Sequence, residues 1–480
     1  MQKTIGTDLT VGSVPRHLMA FSIPLLVGNL ARTSYHIINI IWVGHLVGKN
    51  AVGAVGASFP IILVFIGVFI GMSLATTILV SQYYGAKQYD MVERVASNSY
   101  PLSLMIGGLL SVSGILSSDF LLRLMKTPPE NFALASSYLK LNLAAFALLY
   151  LDFLIHSILR GMGNTVIPLV FSCIAMGLNT LLDPFFIGGF GPFPLHGLNG
   201  AAYATIVSEV VTLIISIAYL NNKSGMAAFR PTKFILDKDI TLQLFKIGLP
   251  SVVQGSLISV STMFITGIVN SFGSAATNAF GAVGRIDMFV FLPAMSLGMA
   301  VSAMTGQNLG AGKAERIKDI FRWGNILTSF MTIPVSLFVV VFPETILLAF
   351  GLGDDANVVY IGVTYLRIVG SCYIFFSIMG ITNGVINGAG HTFITMVFTL
   401  LSLWLIRVPL AWLLSKTFLG VTGIWVGVSL SFFVTVIISL VYYYSGRWEK
   451  PVVGIKKWNS GTRSKPRISH GDERGGAPGP

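Results

Sequence analysis

Apolar runs of about 20 residues or more, the length needed to cross a bilayer core of about 30 Å, alternate along the chain with short polar interruptions. This pattern predicts twelve helices, over 18–44, 52–80, 96–117, 132–156, 165–188, 200–221, 246–271, 277–305, 321–342, 360–382, 393–415 and 421–445. The first run lacks a short apolar core followed by a small-residue cleavage site, so it reads as a retained helix and not a signal peptide. The longest predicted interruption between spans on the basic side, 222–245, separates six spans from six. The expected units are a first lobe over 1–225, a linker over 226–245 and a second lobe over 246–445. The segment 446–480, rich in Gly, Pro and basic residues, reads as a disordered tail.

Composition turns the pattern into a class. Of the 480 residues, 54% are hydrophobic and 10% charged, and mean hydropathy is +0.77. A soluble chain carries about 25% charged residues. A water-soluble enzyme is therefore excluded, and the chain reads as an all-α polytopic membrane protein. The net charge of +12 is distributed by topology. With twelve spans both termini share one side, and 22 of the 31 Lys and Arg fall there. Lys49, Arg123, Lys126 and Lys416 fall on the other side. That excess marks the cytoplasmic face, so both termini are expected inside, in the plasma (inner) membrane. Nucleic acid is dropped as a partner. Cys173 and Cys372 lie far apart in apolar runs and form no disulfide or zinc pattern.

The chain also repeats itself. Gln82, Gly85 and Ala86 in SQYYGAKQYD recur as Gln307, Gly310 and Ala311 in GQNLGAGKAE, 225 positions on. Ala54, Gly56 and Ala57 match Ala279, Gly281 and Ala282, and Pro184 matches Pro409, at the same offset. Pro24 and Pro250, and RGMGNT and NGAGHT, are separated by nearly the same distance. Six spans per unit is an even number, so the halves share one orientation and are related by an axis along the membrane normal. Secondary transporters are built this way, with substrate between repeats that rock against each other. Paired prolines within spans supply places to bend. GQNLGAGKA fails the spacing of a phosphate-binding loop, with Ala314 where Ser or Thr is needed. With no room for an ATP-binding domain, an ion gradient is the expected energy source, and no cofactor is expected beyond H+ or Na+.

The motifs IPLLVGNL and IIWVGHL, the paired Q-x-x-G-A, LRGMGNTVIP, LNTLLDPFF followed by GLNGAAYAT, and YLRIVG resemble the multidrug and toxic compound extrusion (MATE) transporters over about residues 15–445. The resemblance implies two six-helix lobes around a V-shaped central cleft, and export of bulky, often cationic compounds in exchange for Na+ or H+. In one branch the cation site takes an Asp from helix one, an Asn and an Asp from helix five and a Thr from helix six. Asn179, Asp183 and Thr205 match. The helix-one acid is Asn39 here. Helix seven offers Gln254 in place of the Glu another branch uses, which argues against a second-lobe site of that type.

Acids inside spans are costly, about 2.5–3.5 kcal/mol or more for an unpaired charge, which singles out Asp152, Asp183, Glu209 and Asp287. Asn179 and Asp183 stand four apart, on one helical face. There they suit either Na+ coordination or a held proton. Asp152, four residues before His156, is read as the acid that replaces the one missing at Asn39. Asn29, Arg32, His36 and Asn39 form a polar stripe on helix one. His36 and Asp287 are auxiliary candidates, and Pro24 is the expected bend. The expected protein is thus a monomeric exporter in the lipid bilayer, antiporting small organic substrates against H+ or Na+. The alternative is a lipid-linked saccharide flippase of the same architecture, hinted at by Arg32 and Arg285.

Overall fold

The computed structural model describes residues 5–189, 196–349 and 355–450. The tail expected over 446–480 therefore lies, from 451 onward, outside the described residues. The chain folds into helices α1 (Val14–Leu46), α2 (Lys49–Gly85), α3 (Tyr89–Leu124), α4 (Pro129–Ala144), α5 (Phe146–Gly161), α6 (Val166–Gly188) and α7 (Leu198–Lys223) in the first lobe. The second holds α8 (Lys238–Asn270), α9 (Ser274–Gly310), α10 (Ala314–Val341), α11 (Pro343–Ala349), α12 (Ala356–Ile368), α13 (Tyr373–Gly388), α14 (Thr392–Leu400), α15 (Val408–Ser415) and α16 (Val421–Tyr444). Among the described residues, ten helical stretches are long and apolar enough to cross a membrane, and α4 with α5, bent by 49°, makes an eleventh. The twelfth is α1. Arg32, His36 and Asn39 interrupt its apolar run, yet its 33 residues reach about 50 Å at 1.5 Å per residue.

The predicted spans survive with three breaks that their apolar sequences do not announce. Helix four parts at Ala145. The tenth span is divided by a short turn at Gly370–Cys372, and the eleventh contains a π-helical stretch, Leu401–Arg407, just before Pro409. The duplication holds in space: α2 and α9 begin and end 225 residues apart, and α1 and α8 begin and end 224 apart. The matched loops agree too. Gly163 and Gly390, in the two related motifs, both take positive φ, +84° and +93°, which a side chain would strain.

The repeats are intertwined on the face that carries both described chain ends, hereafter the terminal face. There each lobe's core admits the first helix of the other. Leu18, Phe21 and Leu25 of α1 are buried with Leu297, Val301 and Met304 of α9 and Ile381 of α13. Reciprocally, Ile240, Leu244 and Ile247 of α8 are buried with Ile78, Tyr83, Val95 and Ile155 of the first lobe. Pro24 and Pro250 sit where these crossing segments end. Beyond them each lobe keeps its own core, around Phe69, Phe146 and Ile187 in one and Tyr365, Trp425 and Ala411 in the other. Val43, near the end of α1, already belongs to the first lobe.

The repeated Q-x-x-G-A segments form the centre of this junction. A Cβ on Gly85 would overlap the Gln307 carbonyl oxygen, and one on Gly310 would overlap that of Gln82. Gln82 Nε2 donates to Gly388 O (2.9 Å) and Gln307 Nε2 to Gly161 O (3.1 Å), a matched pair of buried hydrogen bonds between lobes. The N-terminal segment straps the junction: Asn164 Nδ2 donates to Ile5 O (2.7 Å), Leu9 N to Gln307 Oε1 (2.9 Å) and Lys313 Nζ to Thr10 O (2.8 Å). On the linker side, Asp237 caps α8 and pairs with Arg94 at 2.6 Å, while Lys233 pairs with Glu93 at 2.6 Å.

Overpacking a closed contact costs about 1–3 kcal/mol. Gly85→Ala and Gly310→Ala are accordingly expected to push the terminal face open. Spin labels at the exposed positions Asp90 and Lys318, in a background with Cys173 and Cys372 replaced by Ser, should report a new, longer distance population. Distance distributions identical to the parent would contradict this packing.

Candidate functional site

The first lobe gathers the predicted cation residues. Asp183, one residue before Pro184 on α6, is fully buried, with Asn179 and Asn39 nearly so. Asn39 Nδ2 of α1 donates to both carboxylate oxygens at 3.3 Å. The Asn179 amide, oriented to satisfy both neighbours, donates to Asp183 Oδ2 (3.0 Å) and accepts from Thr205 Oγ1 of α7 (3.2 Å). Three helices thus converge on one carboxylate, and none brings a cation within ion-pair distance. Two amide oxygens, a hydroxyl and a carboxylate supply the hard oxygen ligands that small metal cations prefer. The same carboxylate can take a proton if one of the two amides that now donate to it turns its oxygen to accept the new O–H.

Asp152 is not in that set. It lies on α5 and faces His156 Nε2 at 3.6 Å, too far for a hydrogen bond, and it interacts electrostatically with Glu209 of α7. Asn39 itself reaches Asp183, and among the described residues no hydrogen bond or ion pair joins Asp152 to that pair. His36, one turn from Asn39, packs its ring edge against Phe59 with centroids 5.9 Å apart. Pro24 lies inside a continuous helix, α1, beside the last residue that α1 buries in the second lobe. The sequence singles out Glu209 only as an acid inside a span. Its spacing of four from Thr205 was the available signal that it shares a helical face with the Asp183 site.

Asp287 belongs to a different kind of arrangement. Tyr373 OH donates to its Oδ1 (2.5 Å) and Tyr365 OH to its Oδ2. Arg407, at the end of the π-helical stretch, is electrostatically close. Its Nε donates to Ser431 Oγ (2.8 Å) and its guanidinium lies 4.8 Å from the Phe432 ring centroid. Arg285, two residues before Asp287, forms no ion pair with it among the described residues and is exposed. Asp287 thus joins α9 to α12 and α13 through satisfied bonds, with Arg407 of the eleventh span electrostatically near. Gln254 of α8 is likewise engaged, donating to Thr399 Oγ1 (2.8 Å). No group of three or more His, Cys, Asp or Glu that would suit a metal ion occurs among the described residues.

Removing one member of a buried charged network costs about 3–5 kcal/mol. Asp287→Ala should therefore lower the unfolding midpoint of the detergent-solubilised protein markedly, while Asp183→Asn, which replaces an oxygen by an amide of the same shape, should leave it near the parent. Equal midpoints for the two variants would remove the distinction between a fastened and a free acid.

The chain resembles known transporters along nearly its whole length. The profile of the MatE family matches residues 24–185 and 250–413, one stretch in each lobe. The probable multidrug resistance protein YpnP of Bacillus subtilis is 33% identical over 445 residues, covering 92% of this chain and 97% of that protein. The probable multidrug resistance protein NorM of Thermotoga maritima is 27% identical, with 92% and 95% covered. Among solved structures, an outward-facing multidrug resistance MATE family transporter of the MOP superfamily superposes with a TM-score of 0.85 at 24% identity, over 93% of this chain and 98% of that one. A Pyrococcus furiosus transporter of the same superfamily gives 0.86 at the same coverage. Relatives of this class are transporters, not enzymes, and this chain belongs to the MATE family of multi-pass membrane transporters.

Proposed function

We propose that the protein exports bulky organic compounds by antiport, driven by H+ or Na+ captured at Asp183. The observation that carries the reading is the state of that carboxylate. It is fully buried, touched by neutral amides, and lacks the counter-ion that an ionised acid inside a span requires. Capture of one small cation removes that cost, so occupancy and lobe geometry are coupled. The names of the relatives, multidrug resistance proteins and a multidrug export protein MepA of Staphylococcus saprophyticus, support an organic cargo.

The terminal face is assigned to the cytoplasm on the Lys and Arg excess, with both termini inside and the chain a monomer in the plasma membrane. The described inter-lobe bonds lie in the half of the bundle nearest that face, which corresponds to a cleft parted toward the outside. In that state Asp183 loads, α1 adjusts at Pro24, and cargo leaves outward. Each net charge moved down 100 mV contributes about 2.3 kcal/mol, a gradient of about fifty-fold. A saccharide-lipid flippase would need a strongly basic central cavity. Arg32 instead lies over the Phe153 ring at 4.8 Å beside Glu209 and Asp152, an arrangement that favours export of cations.

Asp183→Asn should abolish ethidium efflux from cells while leaving expression intact, and export at the parental rate would defeat the assignment. In proteoliposomes, efflux of ethidium under imposed ΔpH against imposed ΔpNa identifies the ion. Efflux indifferent to both gradients would exclude ion-driven antiport.

A further inference from the structure

We infer that the first lobe holds a second cation site, a proton-binding site at Glu209 with Asp152 as its acidic neighbour and Arg32 of α1 as its movable counter-charge. It rests on the reading of this chain as a cation-driven transporter, but not on Asp183 being the coupling acid. Three buried polar atoms in this place have no hydrogen-bond partner: Asp152 Oδ1, His156 Nε2 and Arg160 Nε. Asp152 and His156 are only 5% and 4% exposed. Glu209 is half-buried and forms no hydrogen bond or ion pair among the described residues, while Asp152 and Arg32 act on it electrostatically.

The cationic groups nearby are occupied with other partners. Arg32 rests on the Phe153 ring, and Arg160 Nη2 donates to Ser157 Oγ at 2.6 Å. Behind these, His156 stacks on Phe171 of α6 with centroids 6.4 Å apart, and His36 follows Arg32 on α1. The other helices packed on α7 add little charge. The single charged residue of α6 is Asp183, and of the two on α4, Glu130 and Lys140, Lys140 pairs with Asp119 at 2.7 Å. Two acids and two guanidiniums therefore share one partly buried region without a direct ion pair among the described residues. An ionised Glu209 there is paired with nothing, and protonation removes the cost.

The chemistry of the neighbours selects a proton over a metal cation. Guanidinium and imidazole groups are donors or cations, and only the two carboxylates could ligate Na+, far fewer oxygens than a hard cation takes. The site also shares its helices with Asp183. Glu209 is four residues from Thr205 on α7, and Arg32 is seven from Asn39 on α1, in each case on the same helical face. A shift of α1 thus moves Asn39 against Asp183 and Arg32 against Glu209 together. With the cleft open outward, hydronium delivers H+ to the Glu209 carboxylate. When α1 brings Arg32 close, the guanidinium takes the proton's place as counter-charge and H+ leaves to the cytoplasmic water. Two cations then enter per cycle.

The test is acid-induced infrared difference spectroscopy on the purified full-length protein. Wild type should show a protonated-carboxyl C=O band that Glu209→Gln removes, that Glu209→Asp restores, and that Asp183→Asn and added Na+ leave in place. A spectrum unchanged by Glu209→Gln, or a Glu209 band abolished by Na+, overturns the site. In proteoliposomes of wild type at one unit of ΔpH with the potential clamped to zero, two protons per ethidium sustain about 100-fold accumulation where one sustains about 10-fold. A limit that Glu209→Gln leaves unchanged also overturns it. Should Asp183→Asn export ethidium at the parental rate while the Glu209 band persists, the Asp183 reading fails and this one stands.

Discussion

Two glycines pressed onto two carbonyls decide how this molecule is put together. Gly85 and Gly310 let the backbones of α2 and α9 touch across the pseudo-twofold axis, with Gln82 and Gln307 each donating into the opposite lobe. No side chain larger than hydrogen fits there, so the contact is either made or broken as a unit. Around it the lobes exchange first helices, with apolar residues of α1 buried in the second lobe and apolar residues of α8 buried in the first. Interfaces packed this densely behave as bistable and not as elastic, which is what alternation between two faces requires. The balance is not quite symmetric: Gln307 Oε1 receives the Leu9 amide, whereas Gln82 Oε1 has no partner among the described residues.

Because α1 starts in one lobe's core and ends in the other's, it is the element best placed to transmit an ion's arrival. Its far half carries Asn39 to Asp183, and two turns earlier it carries Arg32 to the Glu209 and Asp152 region. Asp287 and Asp183 illustrate the difference between holding and switching. Asp287 has both oxygens satisfied by tyrosine hydroxyls, with Arg407 nearby, and a charge so well met has little reason to change. Asp183 has amides at 3.0–3.3 Å, enough to orient a carboxylate but not to neutralise it.

Much of this was legible in the chain. Apolar run lengths placed the spans, and the Q-x-x-G-A offset of 225 reappears in the limits of α2 and α9, because helices of duplicated sequence end at duplicated turns. Asn179 and Asp183 were readable as one face from their spacing alone. What the sequence could not show depends on contacts hundreds of positions apart. The crossing of α1 and α8 needs both cores assembled, since Leu18 and Leu244 look like any other apolar residue. Arg285 is near Asp287 in sequence yet carries no bond to it, while Tyr365 and Tyr373, 78 and 86 residues on, do. The 49° break at Ala145 has no Pro or Gly to mark it.

The claim that matters most is that charge neutralisation at Asp183 moves α1 and with it the lobes. It is tested most directly by the distance between spin labels at the exposed positions Asn50 and Ser274, at the far ends of the two lobes, followed as the coupling cation is added to the cysteine-free protein. A shift in the wild-type distribution that vanishes in Asp183→Asn, which is permanently neutral, is the predicted result. A shift of the same size in that variant would show that the lobes respond to some other group.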